Sequence, residues 1–162
     1  MKSKAQIKMT ENVLILFMFF ILLGLGLIFY SNVQKESIRK VQEQNFELKT
    51  IETAQRVSFL PELQCSTDNI MTDNCFDIFK VEALSLALNE PDNRQLYFPS
   101  FGNSKITLKQ IYPPPSQEYV IYEKTPPNIT DNVSIQLPVS ILNASSQPQT
   151  YAFGIIEVRV FR

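Results

Sequence analysis

The chain has 162 residues, 44% of them hydrophobic and 19% charged, with a formal net charge of −1, two Cys, no His and no Trp. At that length one domain is expected, with at most one appendage. Without His there is no Ser-His-Asp or Cys-His pair and no His-containing zinc site, and two Cys cannot build a four-thiolate centre. Balanced charge offers nothing to a nucleic acid. The expectation is therefore a protein that is not an enzyme and takes no cofactor or metal.

The mean hydropathy of −0.05 averages two unlike pieces. Val13 to Tyr30 is an uncharged run of 18 residues, 16 of them hydrophobic, whereas the chain after Tyr30 is only about 39% hydrophobic, below the usual ~45–50%. Eighteen helical residues rise roughly 27 Å, close to the ~30 Å hydrocarbon core of a bilayer. The run ends on the bulky Leu27-Ile28-Phe29-Tyr30, unlike the small residues of a cleaved secretory signal, and Tyr suits a membrane interface. Residues 13–30 are thus predicted to be a retained transmembrane helix, preceded by a basic segment over 1–12.

Lysines and arginines nearly tie on the two sides of this run, so charge does not orient it. Cys65 and Cys75 are close enough in sequence to form a disulfide, and Asn128, Asn132 and Asn143 each head an Asn-X-Ser/Thr glycosylation sequon. Both features suit an oxidising exterior. The N-terminus is expected in the cytoplasm and the C-terminal domain outside the cell.

All ten prolines lie at or after Pro61, and residues 31–60 are rich in Glu, Gln, Lys, Arg and Leu, which favour helices. Ile38, Val41, Leu48, Ile51, Ala54 and Val57 recur at helical spacing. An amphipathic extension is predicted over 31–60, with that stripe packed on the chain's own C-terminal domain rather than in a coiled coil.

Residues 61–162 read as a small α+β domain. The repeated Thr-Asp-Asn of 67–69 and 72–74 lacks the spacing of a calcium loop and reads as turn. Phe76–Leu88 has apolar residues at helical spacing. Period-two alternation then predicts strands around Ile106 and Leu108, over Glu118–Lys124, over Val133–Ile141 and from Ile156 to the end. Pro138 places its strand at an edge or beside a bulge. Short proline-rich connections suggest an antiparallel sheet with one buried face, covered by the long helix.

A basic leader, an apolar helix with Glu11 near its start, an amphipathic extension and a small sheet domain together resemble type IV pilins. The Lys4-Ala5-Gln6 segment is similar to the prepilin-peptidase recognition site of archaeal pilins and archaellins. The resemblance implies processing by a prepilin peptidase at Ala5–Gln6, which makes Glu11 the sixth mature residue, or after Gln6, which makes it the fifth. It also implies assembly with copies of itself or related pilin-like subunits through the N-terminal helix. A carboxylate in lipid is costly unless paired. Either the new amine of a neighbouring subunit or Lys8, three residues back on the same helix, can pair with Glu11. The function so implied is a membrane-anchored subunit of an extracellular filament. The alternative is an uncleaved single-pass membrane protein whose external domain binds a partner.

Overall fold

A computed structural model describes residues 3–67, 70–146 and 148–162, with side chains from residue 13 onward except that of Thr67. The fold is mixed α/β, and the chain divides into two compact units, Met1–Asn45 and Phe46–Arg162. Helix α1 (Ser3–Ser58) supplies the first unit and the opening segment of the second. It ends before Pro61, as the proline distribution predicts, because a proline inside it would remove a helical hydrogen bond.

The second unit continues with β1 (Gln64–Thr67), β2 (Ile70–Asp77), α2 (Ile78–Asn89), α3 (Pro91–Phe101), β3 (Ser104–Tyr112), β4 (Glu118–Glu123), β5 (Asn132–Asn143) and β6 (Thr150–Phe161). The six strands form one sheet in the order β1-β2-β5-β6-β3-β4. Its spine is the antiparallel β5–β6 pair, in register from Asn132↔Phe161 to Asn143↔Thr150. The predicted all-antiparallel sheet is instead mixed, because β2 runs parallel to β5 through Cys75↔Ser140 to Asp77↔Leu142. The connection between these two strands carries α2, α3, β3 and β4, long enough for a parallel return.

Two further elements depart from the sequence expectation. The stretch between the cysteines is a hairpin, β1–β2, rather than a simple turn. Thr72-Asp73-Asn74 lies within β2, with Asn74 at φ 54°, while Asp68 and Asn69 of the first Thr-Asp-Asn lie outside the described residues. The predicted helix from Phe76 begins only at Ile78, because Asp77 accepts a 2.9 Å hydrogen bond from the Phe79 N–H and caps α2 there. Residues 91–101 form a helix that period-two reading missed. Pro91 sits in its first turn, where a missing N–H costs nothing. From α3, Asn93 Nδ2 donates to Ala87 O at 3.1 Å and Arg94 Nε to Leu88 O at 3.1 Å, satisfying carbonyls left open at the end of α2.

One buried cluster joins Ile106 and Leu108 of β3, Ile121 of β4, Val139 and Ile141 of β5, and Ile156, Val158 and Val160 of β6 to residues of all three helices. The helical share includes Phe46, Ala54 and Val57 of α1 with Val81, Leu84 and Leu88 of α2. Part of the predicted α1 stripe is therefore corrected. Ala54 and Val57 are buried, but Leu48 and Ile51 are exposed, as are Ile38 and Val41 in the first unit. The buried face runs Phe46, Thr50, Thr53, Ala54, Val57 and Ser58, at spacings that share one side of a helix. Its hydroxyls can be buried because each donates to its own helix: Thr50 to Phe46 O, Thr53 to Lys49 O and Ser58 to Ala54 O. Polar residues that satisfy themselves in this way escape a purely apolar pattern search.

Pro138 lies in β5, an interior strand, opposite Ile155 of β6. Since β2 pairs only with Ser140–Leu142, the strand at Pro138 has a ladder neighbour on the β6 side alone. The edge-like position that proline demands exists locally within an interior strand.

Candidate functional site

The first unit presents an apolar helical surface. From Val13 to Tyr30 every large hydrophobic side chain is exposed, from 42% at Ile21 to 73% at Phe29. This is one helix long and apolar enough to cross a membrane by length and composition, with a best window of mean hydropathy 2.9 and none of it buried. At the end of the run, Ser31 Oγ donates to Ile28 O at 2.9 Å and Gln34 Nε2 to the Tyr30 hydroxyl at 3.1 Å. Arg39 and Glu43 then pair one turn apart at 3.5 Å, a surface interaction that contributes only about 0.3–0.5 kcal/mol. Ala5, Gln6, Lys8 and Glu11 lie on α1, but their side chains fall outside the described residues.

In the second unit, α1 leaves a second apolar strip open. Leu48, Ile51 and, in the turn after the helix, Phe59 are exposed while Phe46, Ala54 and Val57 are buried. At about 100° per residue the two sets occupy opposite sides of the helix. One side completes the domain core, and the other has no cover among the described residues.

The sheet face turned away from the core carries ions. Glu157 on β6 is nearly buried and accepts hydrogen bonds from Lys109 Nζ on β3 at 2.9 Å and Arg159 Nη2 at 2.6 Å. The bond from Lys109 is the main influence holding the Glu157 carboxyl below the ordinary carboxylate range, against the opposing effect of burial, and the bond from Arg159 adds to it. The same hydrogen bond raises Lys109. Lys105 and Glu123 pair across β3 and β4 at 3.2 Å. Together with Thr107 and Glu118, the Glu157 group lines a cleft of about 160 Å³. Its three cations and two carboxylates, with Glu123 alongside, balance in formal charge. Alternation in β3 and β6 places these residues on the outer face, but only the β3–β6 register brings Lys109 to Glu157.

Farther along that face, Tyr112, Tyr151 and Phe153 are exposed around a depression of about 590 Å³ that also touches Asp73 and Asn74. Beside it, the Cys65–Cys75 disulfide packs with Leu142 in a small second cluster. The disulfide expected from the spacing is thus present. A groove of about 750 Å³ runs between α2 and β4, lined by Glu82, Ser85, Arg94, Tyr119 and Glu123 among others. Ser85 Oγ donates to Val120 O at 2.7 Å, so the helix occupies a backbone acceptor on an edge strand that another chain would otherwise pair with. Burial raises the Tyr119 and Tyr122 hydroxyls, and both stay neutral in the physiological range.

The three sequons differ in setting. Asn128 lies in the connection before β5, Asn132 opens β5, and Asn143 closes it. Among the described residues no group of three or more His, Cys, Asp or Glu side chains is placed to hold a metal ion. No protein-family model matches the chain, and neither a curated protein nor a solved structure matches it.

Proposed function

We propose that this chain is a membrane-anchored, pilin-like structural subunit of an extracellular filament. Residues 13–30 hold it in the bilayer with the N-terminus cytoplasmic, and the domain after the amphipathic extension is displayed outside. The observation that carries the reading is the uncharged helical surface from Val13 to Tyr30, exposed on every side. Each large apolar side chain left in water forgoes roughly 1.5–3 kcal/mol, so lipid or other helices must take that surface. The open strip of Leu48, Ile51 and Phe59 extends the same need into the second unit. Copies of the chain or related subunits meet it by packing along the helix. In this scheme Glu11 guides docking by pairing with the new amine of a neighbour.

Mass spectrometry of the mature N-terminus in protein from native membranes tests the reading. The expected result is a chain beginning at Gln6 or Ile7, present in sheared surface filaments. A chain that keeps its Met1 or Lys2 end and is absent from filaments overturns it, leaving a single-pass anchor with an external partner-binding domain. Glu11→Gln should reduce filament yield, and unchanged yield would remove the docking role.

A further inference from the structure

We propose that the open edge of β5 over Asn132–Pro138 pairs antiparallel with the same edge of a second copy of the chain, joining two sheets about a two-fold axis. This contact lies in the sheet alone and does not depend on packing along α1. On one side β5 is paired with β6 throughout, but on the other β2 reaches only Ser140–Leu142. Phe161 N–H donates to Asn103 O, away from β5, so Asn132, which stands opposite Phe161, turns its own backbone polar groups away from β6. Strand alternation turns those of Ser134, Gln136 and Pro138 the same way. Asp131 Oδ1 accepts the Asn132 N–H at 2.8 Å. The N–H groups of Ser134 and Gln136, and the carbonyls of Asn132, Ser134, Gln136 and Pro138, have no partner among the described residues.

The outer edges of the sheet are guarded. Ser85 Oγ donates to Val120 O on β4, and Lys80 Nζ donates to Gln64 O on β1 at 2.8 Å. Charge is the usual guard of an open edge, yet no charged residue lies between Asn132 and Asn143. Ser134, Gln136 and Pro138 are exposed, while Val133, Ile135 and Leu137 are half-buried and pack on the core cluster. The edge therefore combines free hydrogen-bonding groups with a row of apolar side chains that is only partly covered.

Self-pairing satisfies these groups in one register. With Ile135 opposite Ile135 of the copy, Ser134 faces Gln136, and each exchanges N–H and C=O with the other, so every free N–H is used. Val133 then meets Leu137 on the core face, and uncharged Ser134 meets uncharged Gln136 on the outer face. Asn132 falls opposite Pro138, whose missing N–H matters least at the end of a ladder. Sliding the copy by two residues, the smallest slip that keeps donors facing acceptors, sets Leu137 against Asp131 in one direction. In the other it sets Asn132 against Ser140, whose edge β2 already holds. Such a contact uses one surface twice and closes on itself.

The test is cross-linking of the full chain in native membranes. Cys65 and Cys75 are bridged, so Ile135→Cys supplies a single free thiol, which the two-fold axis places opposite its copy. Mild oxidation is expected to give a disulfide-linked dimer for Ile135→Cys and none for Ser145→Cys, in the exposed connection beyond the other end of β5. Adding Ser134→Lys and Gln136→Lys sets like charges face to face and should abolish the dimer while the denaturation midpoint stays unchanged. Co-expressing that chain with one carrying Ser134→Glu and Gln136→Glu beside Ile135→Cys should restore it as a mixed dimer. Where Ile135→Cys itself lowers the midpoint, Gln136→Cys with a short bis-maleimide reads the same contact diagonally across the axis. No linked dimer from either thiol, in chains that keep the Cys65–Cys75 bridge, overturns the proposal. A product linking these thiols to a different protein overturns it too, and makes the edge a docking strand for a partner. Linkage through Leu48→Cys but through neither β5 thiol leaves copies packed by α1 alone and likewise overturns it.

Discussion

Phe46 and Leu48 stand two residues apart on α1, yet Phe46 is 8% exposed in the domain core and Leu48 is 56% exposed on the opposite side of the helix. The same turn therefore serves the fold with one side chain and leaves the other exposed. Phe46→Ala should lower the unfolding free energy of the full chain in detergent by about 3–5 kcal/mol, the usual cost of such a truncation. Leu48→Glu should change it by no more than about 0.5 kcal/mol, as surface changes do, while reducing filament yield under the proposed packing of subunits along the helix. Denaturant titration and quantitation of sheared filaments read the two effects. Equal destabilisation by both variants would refute the division of the helix into two faces.

Glu157 links fold stability to pH. Its folded pKa is depressed, so its contribution is complete above the unfolded value of about 4.3 and is lost as pH falls through the folded value. Unfolding free energy should fall on acidification below about pH 5. Glu157→Gln should flatten that acid limb and cost about 1–3 kcal/mol at neutral pH by leaving Lys109 and Arg159 without their partner. Lys109 acts in the opposite sense: its pKa is raised, so its contribution is held below about pH 10.4 and is lost as pH rises through the folded value. Urea unfolding across pH compares the proteins, and parallel acid limbs would refute the linkage.

Gly154 allows β6 to pass close to its neighbours. A Cβ there would sit 2.5 Å from Ile141 Cδ1 and 2.6 Å from the Lys109 carbonyl oxygen. In open space Gly→Ala stabilises by about 0.4–1 kcal/mol through the unfolded chain. Here overpacking costs about 1–3 kcal/mol and wins, because one of the two obstacles is backbone. Gly154→Ala should therefore lower the denaturation midpoint, and an unchanged or higher midpoint would show that the β5–β6–β3 layer can spread.

The disulfide joins residues ten apart in sequence, and the chain-entropy relation gives about 2–3 kcal/mol for a loop of that size. Reduction, or the Cys65→Ser and Cys75→Ser pair, should lower the unfolding free energy by that amount. Alkylation should find two thiols only after reduction. Two thiols without reduction would refute the bridge.

Several elements were legible because local chemistry settled them. The β-strands around Leu108, Ile121, Ile141 and Val158 follow from period-two alternation, and the long helix follows from the absence of proline before Pro61. Helix α3 was hidden because Leu96 and Phe98 are exposed and make no recognisable buried stripe, although Pro91 marked its start. The β1–β2 hairpin was hidden because most of β2 is exposed, with only Cys75 and Phe76 buried, so its strand had no alternation to read. For the charged face, alternation placed Lys109 and Glu157 on one side of their strands, but nothing local could specify the register that joins them.

The amino-acid sequence by itself determined an uncharged helical run of bilayer length, a proline-free helix beyond it, and an α+β remainder with two cysteines in bridging range. These rest on composition and short-range spacing, which act within a few turns of chain. Only the tertiary structure decided which side of α1 enters the core, that β2 runs parallel to β5, and that Glu157 lies between Lys109 and Arg159. Those depend on pairings between distant residues, where a shift of one register position turns every strand side chain to the opposite face.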